Sequence, residues 1–318
     1  MEIFVGIILH SIIPIFILIF LGYIIDKKIT LDVKTLTKLN FFIFVPAFSF
    51  VNIYSTEISI DLLRVIMLTI VLLIINYMIG MSIGRLMRIP VKTRKAFENS
   101  VMFTNSGNIG LSLMTLVFTN PQFNDNGNPL FLEIALSVQV MTLLVQNLTT
   151  NTVGFINSGG EGMTLKKGVV QVLKMPTIYA IALAVLLKLV PIDFTLSPMW
   201  PSLVFLRNGL IAVGLLTLGV QLSGSKINLK MYTPYVSTFC RLIIGPAIAF
   251  VLIKLFGFEG VMAQAILIAS STPSAINTSL IAVETDGDKD FAVQAVMIST
   301  LLSAFTLSTV VYLAYYLF

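Results

Sequence analysis

Two clusters of small polar residues interrupt otherwise apolar stretches: Asn105-Ser106-Gly107-Asn108-Ile109-Gly110-Leu111 and Ser271-Thr272-Pro273-Ser274-Ala275-Ile276-Asn277. Their chemistry is that of holding a polar solute, since amides, hydroxyls and freed backbone N–H groups bind, and no nucleophile-base constellation accompanies them. In the first cluster two glycines each weaken a helix by about 1 kcal/mol, and the asparagines compete for backbone hydrogen bonds. In the second, Pro273 removes an amide donor while the preceding hydroxyls can satisfy the carbonyls that are freed. Each break leaves a half-helix N-terminus, expected just before Ile109 and just before Ala275. Such a terminus carries about half a positive charge and suits an anion such as a carboxylate. Asn108 is the expected direct ligand, with Asn105, Gly110, Thr272, Pro273 and Ser274 completing the crossing.

Arg241 adds a full charge. It lies eleven residues past Lys230, hence roughly 15 Å into a membrane at 1.5 Å per residue. An arginine at that depth is a functional candidate, either meeting a substrate carboxylate in a bidentate way or pairing structurally with a carbonyl or a helix end. Asn76 is expected near the same cavity.

The elements that must position these residues are membrane helices. The chain has 318 residues, 57% hydrophobic and 11% charged, against about 25% charged in a soluble domain. Ten spans of the length that a hydrocarbon core of ~30 Å demands fall near 5–25, 36–53, 62–84, 96–118, 129–150, 168–190, 202–222, 232–256, 260–283 and 291–316. The alternation that a β-barrel needs is absent, so the expected fold is all-α. The first span has no basic segment before it and reads as a retained helix.

An offset of about 167 residues carries Ser112-Leu113 onto Ser279-Leu280 and superposes the two interrupted spans. Five spans per half (1–156 and 168–318, joined by a cytoplasmic linker at 157–167) make an inverted-topology repeat, the arrangement used for alternating access. Fifteen of the twenty basic residues fall on alternate loops, including Lys27, Lys28, Arg85, Arg88, Lys92, Lys166 and Lys289. That side is cytoplasmic by the positive-inside rule, which places both termini outside. The topology signal accounts for these charges without a nucleic-acid partner.

The first cluster resembles the Asn-Thr/Ser-Gly-Asn-x-Gly crossover signature of the auxin efflux carrier family, which includes plant PIN-type carriers and bacterial malate or malonate permeases. Pro14 through Gly22-Tyr23 and Leu39-Asn40 through Pro46 are similar as well. The resemblance implies a fold related to sodium/bile-acid symporters, with spans one, two, six and seven as a dimerising scaffold. Spans three to five and eight to ten would be the mobile transport domain, with substrate at the crossing of spans four and nine. The long cytoplasmic loop of many plant members is missing, and span nine has one proline where plant carriers have two.

The expected activity is secondary transport of a small organic anion, malate- or malonate-like, with no cofactor, no metal, and a homodimer in the bilayer. An exporter of aromatic or hydrophobic weak acids is the nearest alternative; a non-transporting sensor or scaffold would need an output domain. Asp286, Asp288 and Asp290 alternate as in a calcium loop, but Phe291 follows and no Glu closes the loop, so they read as a solvated turn. Cys240 reads as an apolar filler and His10 as a packing residue. No carboxylate lies between Ala263 and Val283, which leaves coupling to sodium, protons or a counter-anion open.

Overall fold

The computed structural model describes residues 2–56, 59–121, 123, 129–159, 170, 173–191, 193–224, 228 and 230–318. Three long helices come first: α1 (Ile3–Ile29), α2 (Val33–Ser55) and α3 (Ile60–Leu86). Two short helices follow, α4 (Val91–Met102) and α5 (Ser106–Phe118), then the long α6 (Leu130–Ser158). The second half comprises α7 (Pro176–Lys188), α8 (Trp200–Ser223) and α9 (Thr233–Phe256), the short pair α10 (Gly260–Ser270) and α11 (Asn277–Glu284), and α12 (Lys289–Leu317). Seven of these, α1–α3, α6, α8, α9 and α12, are long and apolar enough to cross a membrane. Among the described residues there is no β-strand. The protein is therefore an all-helical, multi-pass membrane protein.

Spans four and nine, expected as interrupted helices, are each two short helices with extended chain between them. The expected sixth span begins outside the described residues, which resume continuously before Pro176, and of the linker only 157–159 is described.

Prolines shape three long helices in one way. Pro14, Pro46 and Pro246 each stand two residues past a single π-helical turn: Ile8–Ile12 in α1, Asn40–Phe44 in α2 and Cys240–Ile244 in α9. A proline has no N–H to give and its ring crowds the carbonyl four residues back, so the preceding turn widens. Asn40 and Arg241 sit in two of these turns, and both are buried.

Helices α1 and α8 meet backbone to backbone, since a Cβ at Gly22 would overlap the Leu216 carbonyl and one at Gly219 the Ile19 carbonyl. Lys27 ties the end of α1 to the Ser223 carbonyl at 2.9 Å. On the opposite end, Lys188 of α7 donates to the carbonyls of Ile53 (3.0 Å) and Thr56, beside the Tyr54, Phe194 and Trp200 rings. These contacts bind α1, α2, α7 and α8 into one unit.

Helix α4 is the least apolar, and its charges are matched inside the bundle. Glu98, 1% exposed, lies 3.6 Å from Arg94 and 3.3 Å from Lys95. Lys95 also donates to Asn157 at 2.9 Å, and Asn157 to Asn99 at 2.9 Å, so α4 is clasped to the end of α6.

Candidate functional site at the crossing of the broken helices

The two breaks meet. Thr104 and Ser274 form an isolated antiparallel β-bridge, with the Asn105 N–H donating to the Pro273 carbonyl at 2.7 Å and the Ala275 N–H to the Phe103 carbonyl at 3.0 Å. Extended chain in a membrane must have its polar groups satisfied by protein, and here each break satisfies the other. Ser274 is fully buried; its hydroxyl donates to the Ser100 carbonyl at 2.7 Å and its N–H to the Ser299 hydroxyl of α12 at 3.2 Å. The Ala269 carbonyl, which a residue other than proline at 273 would satisfy in a continued helix, accepts from the Thr272 hydroxyl at 3.1 Å.

Helix α5 restarts at Ser106 and α11 at Asn277, against expected starts just before Ile109 and Ala275. The earlier start of α5 has a local cause: the Asn105 side-chain oxygen accepts from the Asn108 N–H at 3.2 Å, capping a wide first turn, a role asparagine fills well. Helix α6 supports the break with two glutamines. Gln139 donates to the Ser106 carbonyl at 2.6 Å, and Gln146 accepts from the Thr104 N–H at 3.3 Å. Gly110 abuts Gln139 so closely that a Cβ would overlap its amide nitrogen.

A cavity of about 110 Å³ opens beside the bridge. Helix α2 contributes Thr37 and Asn40, the first break Asn105 and Asn108, α6 Gln146, Asn147 and Thr150, α8 Thr217 and Gln221, and α11 Asn277. Among the described residues lining it none is charged. Asn40 donates to Thr217 at 2.9 Å, which joins α2 to α8 across the cavity wall. The Asn40 side-chain oxygen and the Asn105 side-chain nitrogen are buried without a partner. Both atoms belong to residues that line the cavity, and a buried polar group without a partner carries a desolvation cost of about 1–3 kcal/mol.

Of the residues expected from sequence, Asn105 and Asn108 line this cavity, whereas Gly110, Thr272, Pro273 and Ser274 build the crossing behind it. Arg241 lies beneath the bridge, fully buried, with one terminal nitrogen on the Val101 carbonyl at 3.0 Å and the other on the Ser270 carbonyl. These carbonyls belong to the last turns of α4 and α10. One guanidinium therefore closes the C-termini of both first half-helices, where a cation is favoured by the helix dipole. Asn76 stands with Arg241 around a separate space of about 10 Å³, together with Thr104 and Gln146. Of the two readings of Arg241, the carbonyl and helix-end pairing is the geometry found.

Sequence reasoning missed Asn40 and Thr217 as lining residues. Their signal is a polar side chain amid apolar neighbours, shared with many helix-packing positions; the Pro46-induced turn that aims Asn40 inward is what distinguishes it.

A family model described as membrane transport protein matches residues 7–312. The chain is 22% identical over 310 residues to a protein of Methanothermobacter thermautotrophicus described as an uncharacterized transporter, covering 94% of this chain and 95% of that one. The chain belongs to the membrane transport protein family, that of the auxin efflux carriers.

Proposed function

We propose that this protein carries a small organic anion, malate- or malonate-like, across the membrane at the crossing of its broken helices. The observation that carries the reading is the cavity beside the Thr104–Ser274 bridge, walled by Asn105 and Asn108 on one side and by Asn40 and Thr217 on the other. At about 110 Å³ it is small against the roughly 300–1,000 Å³ of pockets for drug-sized ligands, which favours a compact acid over an aromatic one. The α5 and α11 starts and the amide nitrogens supply the attraction for negative charge, and Arg241 adds a positive charge through the bridge without touching the solute.

In this reading each broken pair, α4–α5 and α10–α11, counts as one crossing, giving ten spans in two inverted repeats of five. Helices α1, α2, α7 and α8 form the scaffold, which the glycine contacts of α1 with α8 and the Lys188 contacts support. The other helices move against it as an elevator, with the cavity at the sliding surface. The scaffold's exposed Phe20, Leu186 and Phe205 suit a homodimer contact. Lys27 bonded to Ser223 and Lys92 3.6 Å from Asp286 gather basic loops at one end, which supports a cytoplasmic assignment for that end and termini on the other.

The test is binding to purified protein by calorimetry with mono- and dicarboxylates. Saturable heat for a compact carboxylate, abolished in Asn108→Ala, is expected; equal heats in both proteins would contradict a site at the crossing.

A further inference from the structure

A second cavity, of about 530 Å³, lies on the other face of the bundle between α9 and α12. Its walls are largely apolar: Leu242, Pro246, Ala247 and Phe250 from α9 face Phe305 and Leu313 from α12, with Leu267 of α10 as the floor and Thr306 and Thr309 of α12 as the polar exceptions. In α12 it extends from Phe305 to Leu317, twelve residues or roughly 18 Å of helix. Half of a ~30 Å hydrocarbon core is ~15 Å. The groove thus runs the depth of one leaflet, from the rim to the level of Leu242, the neighbour of Arg241.

A charge waits at the rim. Lys254 stands one turn beyond Phe250 and Val251, its ammonium 4.2 Å from the Phe318 ring centre and 5.7 Å from that of Phe250. It donates to the Leu317 carbonyl at 3.4 Å, which leaves two of its three donors for another acceptor. Among the described residues it forms no ion pair. Arg64, on the same rim, is by contrast paired with Asp61 at 2.7 Å.

A largely apolar slot one leaflet deep, with an ammonium that has no ion pair among the described residues held at its mouth by two aromatic rings, complements an acyl chain ending in a phosphate. We propose that the groove between α9 and α12 binds one anionic glycerophospholipid, with an acyl chain along Phe250 and Phe305 and its phosphate on Lys254. The chain end then packs against Leu242, so the lipid supports the segment of α9 that carries Arg241. A second copy of the protein would present helix side chains and not a slender chain to a slot this narrow and deep.

The experiment is native mass spectrometry of the full chain in detergent, with phosphatidylglycerol and phosphatidylcholine of matched acyl length offered separately at equal concentration. The wild type should retain a single phosphatidylglycerol at about tenfold lower lipid concentration than phosphatidylcholine. Lys254→Gln should erase that preference. Ala247→Phe, which fills the slot from a lipid-facing position, should abolish the retained lipid, with an unfolding temperature like that of wild type. Equal retention of the two lipids by wild type would overturn the proposal, as would unchanged phosphatidylglycerol binding by Ala247→Phe. Loss of a dimer in Ala247→Phe would overturn it as well, by assigning the face to a second copy. Anion transport enters none of these readouts, so their outcome is independent of the function proposed above.

Discussion

Asn105 and Pro273 join the two halves of the chain: the amide of one donates to the carbonyl of the other at 2.7 Å in the middle of the bundle. The contact exists because Pro273 cannot continue α10 and Asn105 caps α5 instead of extending α4. Replacing Pro273 by alanine restores an amide that competes with Thr272 for the Ala269 carbonyl, so α10 would lengthen and draw the Pro273 carbonyl away from Asn105. Pro273→Ala is expected to lower the initial rate of uptake by tenfold or more while the unfolding temperature stays within a few degrees of wild type. A stabilised variant with wild-type uptake would show that the break serves packing alone.

Arg241 bonds the ends of α4 and α10, so its removal leaves two buried carbonyls without their donors. Each such loss costs about 1–3 kcal/mol. Arg241→Gln is therefore expected to lower the unfolding temperature markedly, and Arg241→Lys, which keeps the charge and one donor direction, to lie between. Thermal unfolding in detergent checks the order; a variant at Arg241 with normal stability and weakened anion binding would instead place the guanidinium in contact with solute.

Two glycines of α8 face different neighbours. A Cβ at Gly219 would collide with the Ile19 carbonyl of α1, whereas one at Gly214 would stand 3.0 Å from the Asn108 side-chain oxygen. Gly219→Ala is expected to destabilise the fold by about 1–3 kcal/mol, as overpacking does. Gly214→Ala should leave stability nearly unchanged and shift the apparent KM for the anion, because it crowds the proposed ligand Asn108. Parallel melting curves and uptake kinetics distinguish the two.

The breaks at Asn105–Gly110 and Ser271–Ser274 were legible in the sequence because glycine, proline and clustered hydroxyls in an apolar span have few physical explanations. Hydropathy alone located the seven long apolar helices. Less legible was which side of each break faces the cavity. That depends on the Asn105 cap, which starts α5 three residues earlier than expected, and on Gln139 and Gln146, whose partners are backbone groups far away in sequence. Arg241 illustrates the limit: its depth could be counted from Lys230, but two readings fitted that depth, and the Val101 and Ser270 carbonyls that its guanidinium meets come from other helices. Glu98 was hidden in another way: its spacing from Arg94 and Lys95, one turn earlier on α4, allows the ion pairs, but its burial and the clasp of Lys95 to Asn157 emerge only when α4 packs against α6.

Gln139 holds the Ser106 carbonyl from a fully buried position. Gln139→Leu keeps the volume and removes the donor, so the first turn of α5 loses its brace. Anion affinity is expected to fall by roughly tenfold, equivalent to the 0.5–1.5 kcal/mol typical of one hydrogen bond at its upper end. Gln139→Glu, which retains only acceptors when ionised, should not rescue it. Binding calorimetry on both variants checks the pair.

Whether the crossing carries a small organic anion is read from transport by the purified protein in liposomes. Initial rates would be measured for a panel of compact mono- and dicarboxylates, for wild type beside Asn108→Ala and with Lys254→Gln as a variant remote from the crossing. Saturable uptake of at least one compact carboxylate is expected for wild type and Lys254→Gln, with that uptake lost in Asn108→Ala. Uptake that persists unchanged in Asn108→Ala, or a wild type silent toward every acid in the panel, would rule out anion transport at the crossing.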